Sequence, residues 1–291
     1  MRAHPEPHVI AATATPPLLF DGVDQVLHPT SAGPRPVPSF TRDGRLLGAV
    51  FLVALERACA ALPAGTEPVS LLGRALVTVV AIDHRHDDLG PHRELAIAVL
   101  ARSGPIRPPW WRLAAGPAWL DELGLCVVGD AVSAEAAAAA GAEIWGLPRY
   151  PATLRFERRH RVQRAVLEGE LSLTLRAGPA LPTPPLPLPL FTTVGGALVR
   201  VFLQTGHRLR WSPGATVRLR VLGDGPTAAL ARRLGLDARR PLLALRAQAV
   251  RGLLPFGYRV APAHQDAHRR PDSPGPLSDR AKEMDAVANG C

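Results

Sequence analysis

The run Gly141-Ala142-Glu143-Ile144-Trp145-Gly146-Leu147-Pro148-Arg149-Tyr150-Pro151-Ala152 holds the most informative side chains of the sequence. Arg149 carries a guanidinium that stays protonated at any working pH and can grip a carboxylate through two parallel hydrogen bonds. Such a grip would hold a keto acid, a hydroxy acid or an acyl acid without a covalent bond. The same group has no free lone pair, so it cannot attack a carbonyl. Its alternative role is to pair with a carboxylate of the chain itself, Glu94 or Glu143, and fill space. Tyr150 can donate its phenol to a bound carbonyl, or serve as a core or surface aromatic. Trp145 is read as core or pocket wall before stacking partner. Glu143 is read as a buried carboxylate that ties down backbone near a turn.

A second cluster, His84, His86, Asp87, Asp88 and His92, offers metal-ligating residue types. Its spacing matches no strong ligand signature, and it reads as a solvated polar loop between two strands. No metal site and no cofactor is expected. No Gly-x-Ser-x-Gly elbow, phosphate loop or dinucleotide fingerprint is present. Cys59, Cys126 and Cys291 have no ligand or disulfide spacing; the first two, in apolar surroundings, read as buried thiols.

The formal net charge of +9 raises the question of nucleic acid. Of 34 Lys+Arg residues only Lys282 is a lysine, the arginines are spread along the chain, and no aromatics interleave with them to stack bases. No nucleic-acid partner is expected. Apolar residues make up 47% of the chain, enough for a substantial core, yet no stretch of 18 apolar residues suggests a membrane span and no signal peptide is evident. A cytoplasmic protein without a membrane partner is the expectation.

The elements that must position these side chains are mostly strands. Leu46–Val53 is an apolar run suited to a buried strand. Ala54–Leu62 favours a short helix closed by Pro63 and Gly65. Ala75–Ile82, Glu94–Ala101 and Gly124–Val128 read as further strands. Ser133–Ala142 reads as an alanine-rich helix, with Ser133 as N-cap and Gly141 as terminator. Arg161–Arg176 alternates with period two, one face wet and the other buried. Six prolines between Pro179 and Pro189 impose an extended connector. Val194–Gln204, His207–Trp211, Ala215–Val221 and Arg240–Val250 read as strands, and Thr227–Leu236 as a short helix. Short strands outnumber helices, so the class is α+β and β-rich. Residues 1–16 and 262–291 are polar or proline-rich and expected to be disordered, leaving a folded body of 17–261.

The run 141–152 resembles the signature of the acetoacetate decarboxylase family. There a Gly-x-Glu-aliphatic-aromatic stretch leads into Pro-Lys-Lys, and the first lysine is the nucleophile. The resemblance extends to Leu46–Pro63, to the loop Leu89-Gly90-Pro91-His92-Arg93-Glu94, to the proline-rich connector, and to the Gly225-Pro226 turn. It implies a cone-shaped antiparallel β-barrel with flanking helices, enclosing a small apolar pocket, and a homo-oligomer. It makes Glu94 the pocket carboxylate, either a general acid or base or a structural partner of Arg149. It sets Arg45 near the place of an arginine that engages the substrate carboxylate, about one residue out of register; otherwise Arg45 is a solvated turn residue.

Family chemistry runs through an imine between the substrate ketone and a lysine amine kept neutral by a depressed pKa. Here Arg149 and Tyr150 stand at the two lysine positions. The resemblance therefore implies a protein that binds a small keto acid or related carboxylate, with Glu94 and Arg149 at its centre and Arg45, Trp145 and Tyr150 around the ligand, and without imine-based decarboxylation. A genuine carbon–carbon lyase acting on a β-keto acid, and a non-catalytic interaction domain with a filled pocket, are the alternatives.

Overall fold

Seven strands close into a barrel in sequence order: β1 (Ser39–Ala54), β2 (Arg74–Asp87), β3 (His92–Ser103), β4 (Leu123–Val132), β5 (Leu188–Val194), β6 (Ala197–Thr205) and β7 (Gly252–Leu254). Each pairs with the next, and β1 pairs with both β2 and β7 to seal the ring. The β4–β5 pair is parallel and the other six are antiparallel. This is the strand-rich α+β barrel that the sequence led us to expect. The computed structural model describes residues 19–103, 123–182, 188–206, 209–237 and 239–260. The expected disordered ends, 1–16 and 262–291 with Lys282 and Cys291, lie outside the described residues, as does 183–187 of the proline-rich connector. No helix among the described residues is long and apolar enough to cross a membrane.

A parallel pair requires a crossover. Between β4 and β5 the chain forms α2 (Glu135–Trp145), a short strand Arg149–Pro151, and three strands of a second sheet. That sheet has four antiparallel strands, Leu154–Arg159, Val162–Leu167, Leu171–Arg176 and Val217–Val221. It covers the outside of β1–β3 together with α3 (Pro226–Arg233). Alternation then sorts the residues. Leu47, Ala49, Phe51 and Val53 of β1 and Val77, Val79 and Ala81 of β2 face outward into a dry core shared with Leu167, Leu171, Leu173 and Leu234. Their neighbours Leu46, Thr78, Val80 and Ile82 face the barrel interior. Both faces of these strands are covered, which is why they read as continuous apolar runs.

Three local expectations are corrected. The alternating run Arg161–Arg176 is a hairpin, broken at Gly169, where φ is +73°; the two strands share a face, so one alternation runs across the turn. Helix α2 starts two residues and ends three residues later than its sequence signals suggest. Ser133 does not cap it; its Oγ accepts from the Arg93 N–H (2.8 Å). Helix α2 ends at left-handed Gly146, where a Cβ would stand 2.2 Å from the Thr193 carbonyl oxygen, so only glycine fits. Cys126 is buried as expected, but Cys59 is only half-buried, at the end of the short helix α1 (Leu55–Cys59).

Leu173 is fully buried between the second sheet and the barrel. Leu173→Ala is expected to lower unfolding free energy by about 2–5 kcal/mol, read from denaturant midpoints; a loss below 1 kcal/mol would mean the two sheets are not packed as described.

Candidate active site

The barrel encloses a cavity of about 300 Å³. Leucine, valine and isoleucine from nearly every stave line most of it, and its polar residues include Thr41, His84, Asp87, His92, Glu94, Asp130 and Arg149. How these reach one place follows from strand register. Thr78, Val80, Ile82 and His84 point inward from β2, and His92, Glu94, Ala96 and Ala98 from β3. On β4, Leu125 and Val127 point inward, but so does Asp130, three residues on. A bulge resolves this parity: Ile97 pairs with Gly129 and Ala98 with Val127, leaving Val128 as the extra residue. The bulge turns Asp130 into the cavity. Gly129 falls on the outer face, where a Cβ would meet Leu230 of α3 at 2.5 Å.

Arg149 joins them through the short strand Arg149–Pro151, which runs parallel to β4 with Arg149 opposite Asp130 and Tyr150 opposite Ala131. Arg149 therefore shares the inward face of Asp130. Its Nε donates to Asp130 Oδ2 (2.6 Å), its Nη2 to Glu94 Oε2 (2.6 Å) and its Nη1 to the Ala137 carbonyl of α2 (3.3 Å). The side chain lies against Gly141, where a Cβ would sit 2.0 Å from Arg149 Cδ. Gly141 thus makes room for the arginine and does not end the helix.

Two carboxylates on one guanidinium differ sharply. Burial opposes ionisation of Glu94, but the Arg149 charge, then His84, outweigh it and hold the carboxyl well below its usual range. Asp130 is pushed up, first by burial and then by the Glu94 charge. Its Oδ1 is buried without a hydrogen-bond partner among the described residues. The two shifts are opposed: the Arg149 charge holds Glu94 down, while burial and the Glu94 charge push Asp130 up. Arg149 is raised further: its burial is outweighed by the two carboxylates.

His84 and His92 face each other across β2 and β3, their rings stacked with centroids 4.3 Å apart. Burial would lower His84, but Asp87 and Glu94 outweigh it and raise it to about 9. His92 is lowered, first by burial and then by the His84 charge.

The expected site residues separate accordingly. Glu94 and Arg149 meet in one cavity. Arg149 does not offer its fork to a ligand, because Asp130 and Glu94 occupy it. Arg45 is on the outer face, bonded to Asp83 (2.9 Å) beside Arg93; one residue of register separates it from inward-facing Leu46. Trp145 is fully buried away from the cavity and donates its indole N–H to the Pro255 carbonyl (2.8 Å). Tyr150 points to the opposite face from Arg149 and bonds Glu170 (3.0 Å) and Thr227 (2.7 Å) at the start of α3; burial, with Glu170 nearby, pushes its phenol up to about 12. Glu143 is exposed and binds the backbone N–H (2.9 Å) and hydroxyl of Ser31. The His/Asp stretch is not a solvated loop: His84, Asp87 and His92 line the cavity and only His86 is exposed. Asp130 gave no signal in sequence, since a lone Gly-Asp at a strand end predicts no bulge. The continued alternation Thr78-x-Val80-x-Ile82-x-His84 and His92-x-Glu94 was the signal for the histidines.

This barrel, entered by a buried charged cluster after a Gly-Leu-Pro turn, defines an acetoacetate decarboxylase-like protein. The family model described as Acetoacetate decarboxylase (ADC) matches residues 26–193, and the chain belongs to that family. Among solved structures it is similar to an acetoacetate decarboxylase from Legionella pneumophila subsp. pneumophila str. Philadelphia 1 (TM-score 0.62, 17% identity, 90% of this chain and 98% of that one). It is also similar to the enduracididine biosynthesis enzyme MppR complexed with pyruvate (TM-score 0.55, 12% identity, 77% and 90%). A third is an acetoacetate decarboxylase-like enzyme from Sphingomonas wittichii RW1 (TM-score 0.54, 16% identity, 77% and 92%). At these identities the likeness is one of fold. No curated protein matches the chain in sequence.

Removing the guanidinium leaves two carboxyls facing each other in a closed cavity. Arg149→Met is expected to cost about 3–5 kcal/mol of stability at neutral pH, measured by equilibrium unfolding. A cost under 1 kcal/mol would mean that water already solvates the cluster.

Proposed function

We propose that the chain binds a small keto acid, or a related carboxylate or carbonyl compound, non-covalently in the barrel, and does not form an imine with it. The observation that carries this reading is the cavity itself: an apolar enclosure with its ionisable groups gathered at one end and no lysine among the described residues that line it. The one lysine of the sequence is Lys282. A guanidinium at residue 149 lacks the lone pair that imine formation needs. A carbonyl or carboxylate oxygen finds donors at the polar end in the Asp130 carboxyl and His84, while the leucine and valine wall takes the carbon skeleton. The relative MppR was solved with pyruvate, a compound of this class.

Two measurements test the proposal. Pyruvate, acetoacetate and longer 2- and 3-keto acids are titrated calorimetrically; at least one is expected to bind, and failure of every one at millimolar concentration removes the ligand reading. The protein is also incubated with acetoacetate and borohydride and its intact mass recorded. The mass is expected to stay unchanged, and an adduct would restore imine chemistry.

A further inference from the structure

We propose that His84, His92 and Glu94 form a binding site for one divalent transition-metal ion at the polar end of the cavity. His84 and His92 pair directly across β2 and β3, and Glu94 follows two residues along β3 on the same face. All three line the cavity, and their donor atoms lie within 4.8 Å of one another. Two imidazoles and one carboxylate, open on one side, are a donor set that suits first-row divalent ions.

Ring orientation is a second and independent observation. His92 Nδ1 lies 2.8 Å from the Gly90 carbonyl oxygen. A carbonyl only accepts, so the proton sits on Nδ1 and Nε2 presents a lone pair. His84 Nδ1 faces Thr41 Oγ1 at 3.3 Å and Asp87 Oδ2 at 3.4 Å. A carboxylate or backbone carbonyl on the far nitrogen is the support that metal-bound histidines ordinarily have. His84 Nε2 is buried with no hydrogen-bond partner among the described residues; Glu94 Oε2 stands 3.6 Å away. The side chain of His84 is only 10% exposed, so this nitrogen is aimed into an enclosed space.

Zinc–nitrogen bonds of ~2.0–2.1 Å require the two rings to turn from their stacked arrangement. The remaining coordination position faces the cavity, where the ion acts as a Lewis acid on a bound oxygen. The site does not depend on the keto-acid reading, since the probe is the metal alone.

Full-length protein stripped with EDTA is titrated with Co²⁺, then with Zn²⁺, and followed by visible absorption and calorimetry. One Co²⁺ per chain is expected, with ligand-field bands that Zn²⁺ abolishes. His92→Gln is expected to weaken Co²⁺ binding at least tenfold (a ligand should cost no less than the ~10–100-fold of a supporting partner), and His86→Ala, at an exposed position, to leave it unchanged. Circular dichroism confirms that each variant is folded, and the wild-type spectrum decides without them. Absence of stoichiometric binding overturns the proposal, as does wild-type affinity in the folded His84→Gln/His92→Gln double variant.

Discussion

The structure turns on a guanidinium buried between two carboxylates. A charge taken out of water is tolerated only when partners satisfy it completely, and Arg149 finds Asp130, Glu94 and the Ala137 carbonyl within hydrogen-bond reach. Much of the local architecture serves that arrangement. The bulge at Val128 turns Asp130 inward, the parallel register sets Arg149 opposite it, and Gly141 leaves the space that the arginine stem fills. Change any of the three and the guanidinium meets either backbone or an unpaired anion.

That pairing redirects the chemistry available to a family barrel. A neutral amine at residue 149 could attack a ketone; a guanidinium held by two carboxylates cannot, and it also reshapes the acidity of its neighbours. It draws Glu94 down, and the Glu94 charge in turn helps push Asp130 up. Asp130, on β4, is a cavity carboxyl that resemblance alone does not single out. What the cavity retains from its fold is shape and dryness. What its own residues add is electrostatic: ionisable groups held at fixed positions beside an apolar wall.

The fold was legible because its strands are covered on both sides. Leu46–Val53 and Ala75–Ile82 announce themselves as apolar runs, since one face packs on the second sheet and the other on the cavity. Parity was not legible. Arg45 and Leu46 are one residue apart and lie on opposite sides of the barrel wall; Tyr150 follows Arg149 and leaves the cavity for the same reason. His84 and His92 were hidden by polarity near a turn, which mimics a loop although β2 runs to Asp87 and β3 begins at His92. Gly141 and Gly146 are both plausible helix ends in sequence. Only the packing of Arg149 on one and of Thr193 on the other separates their roles.

A barrel that needed only to be filled has a simpler solution. Apolar side chains of similar volume often match or exceed the stability of a buried ion cluster, and most of the rest of this interior is already leucine, valine and isoleucine. The ionisable lining groups are instead gathered at one end, with Asp130 Oδ1 and His84 Nε2 buried and without hydrogen-bond partners among the described residues. Unsatisfied polar atoms of this kind are rare in native interiors and call for a reason. Filling the barrel gives none. The binding proposed above would: oxygen or metal partners at that end would satisfy the two orphaned atoms, with the apolar remainder excluding water.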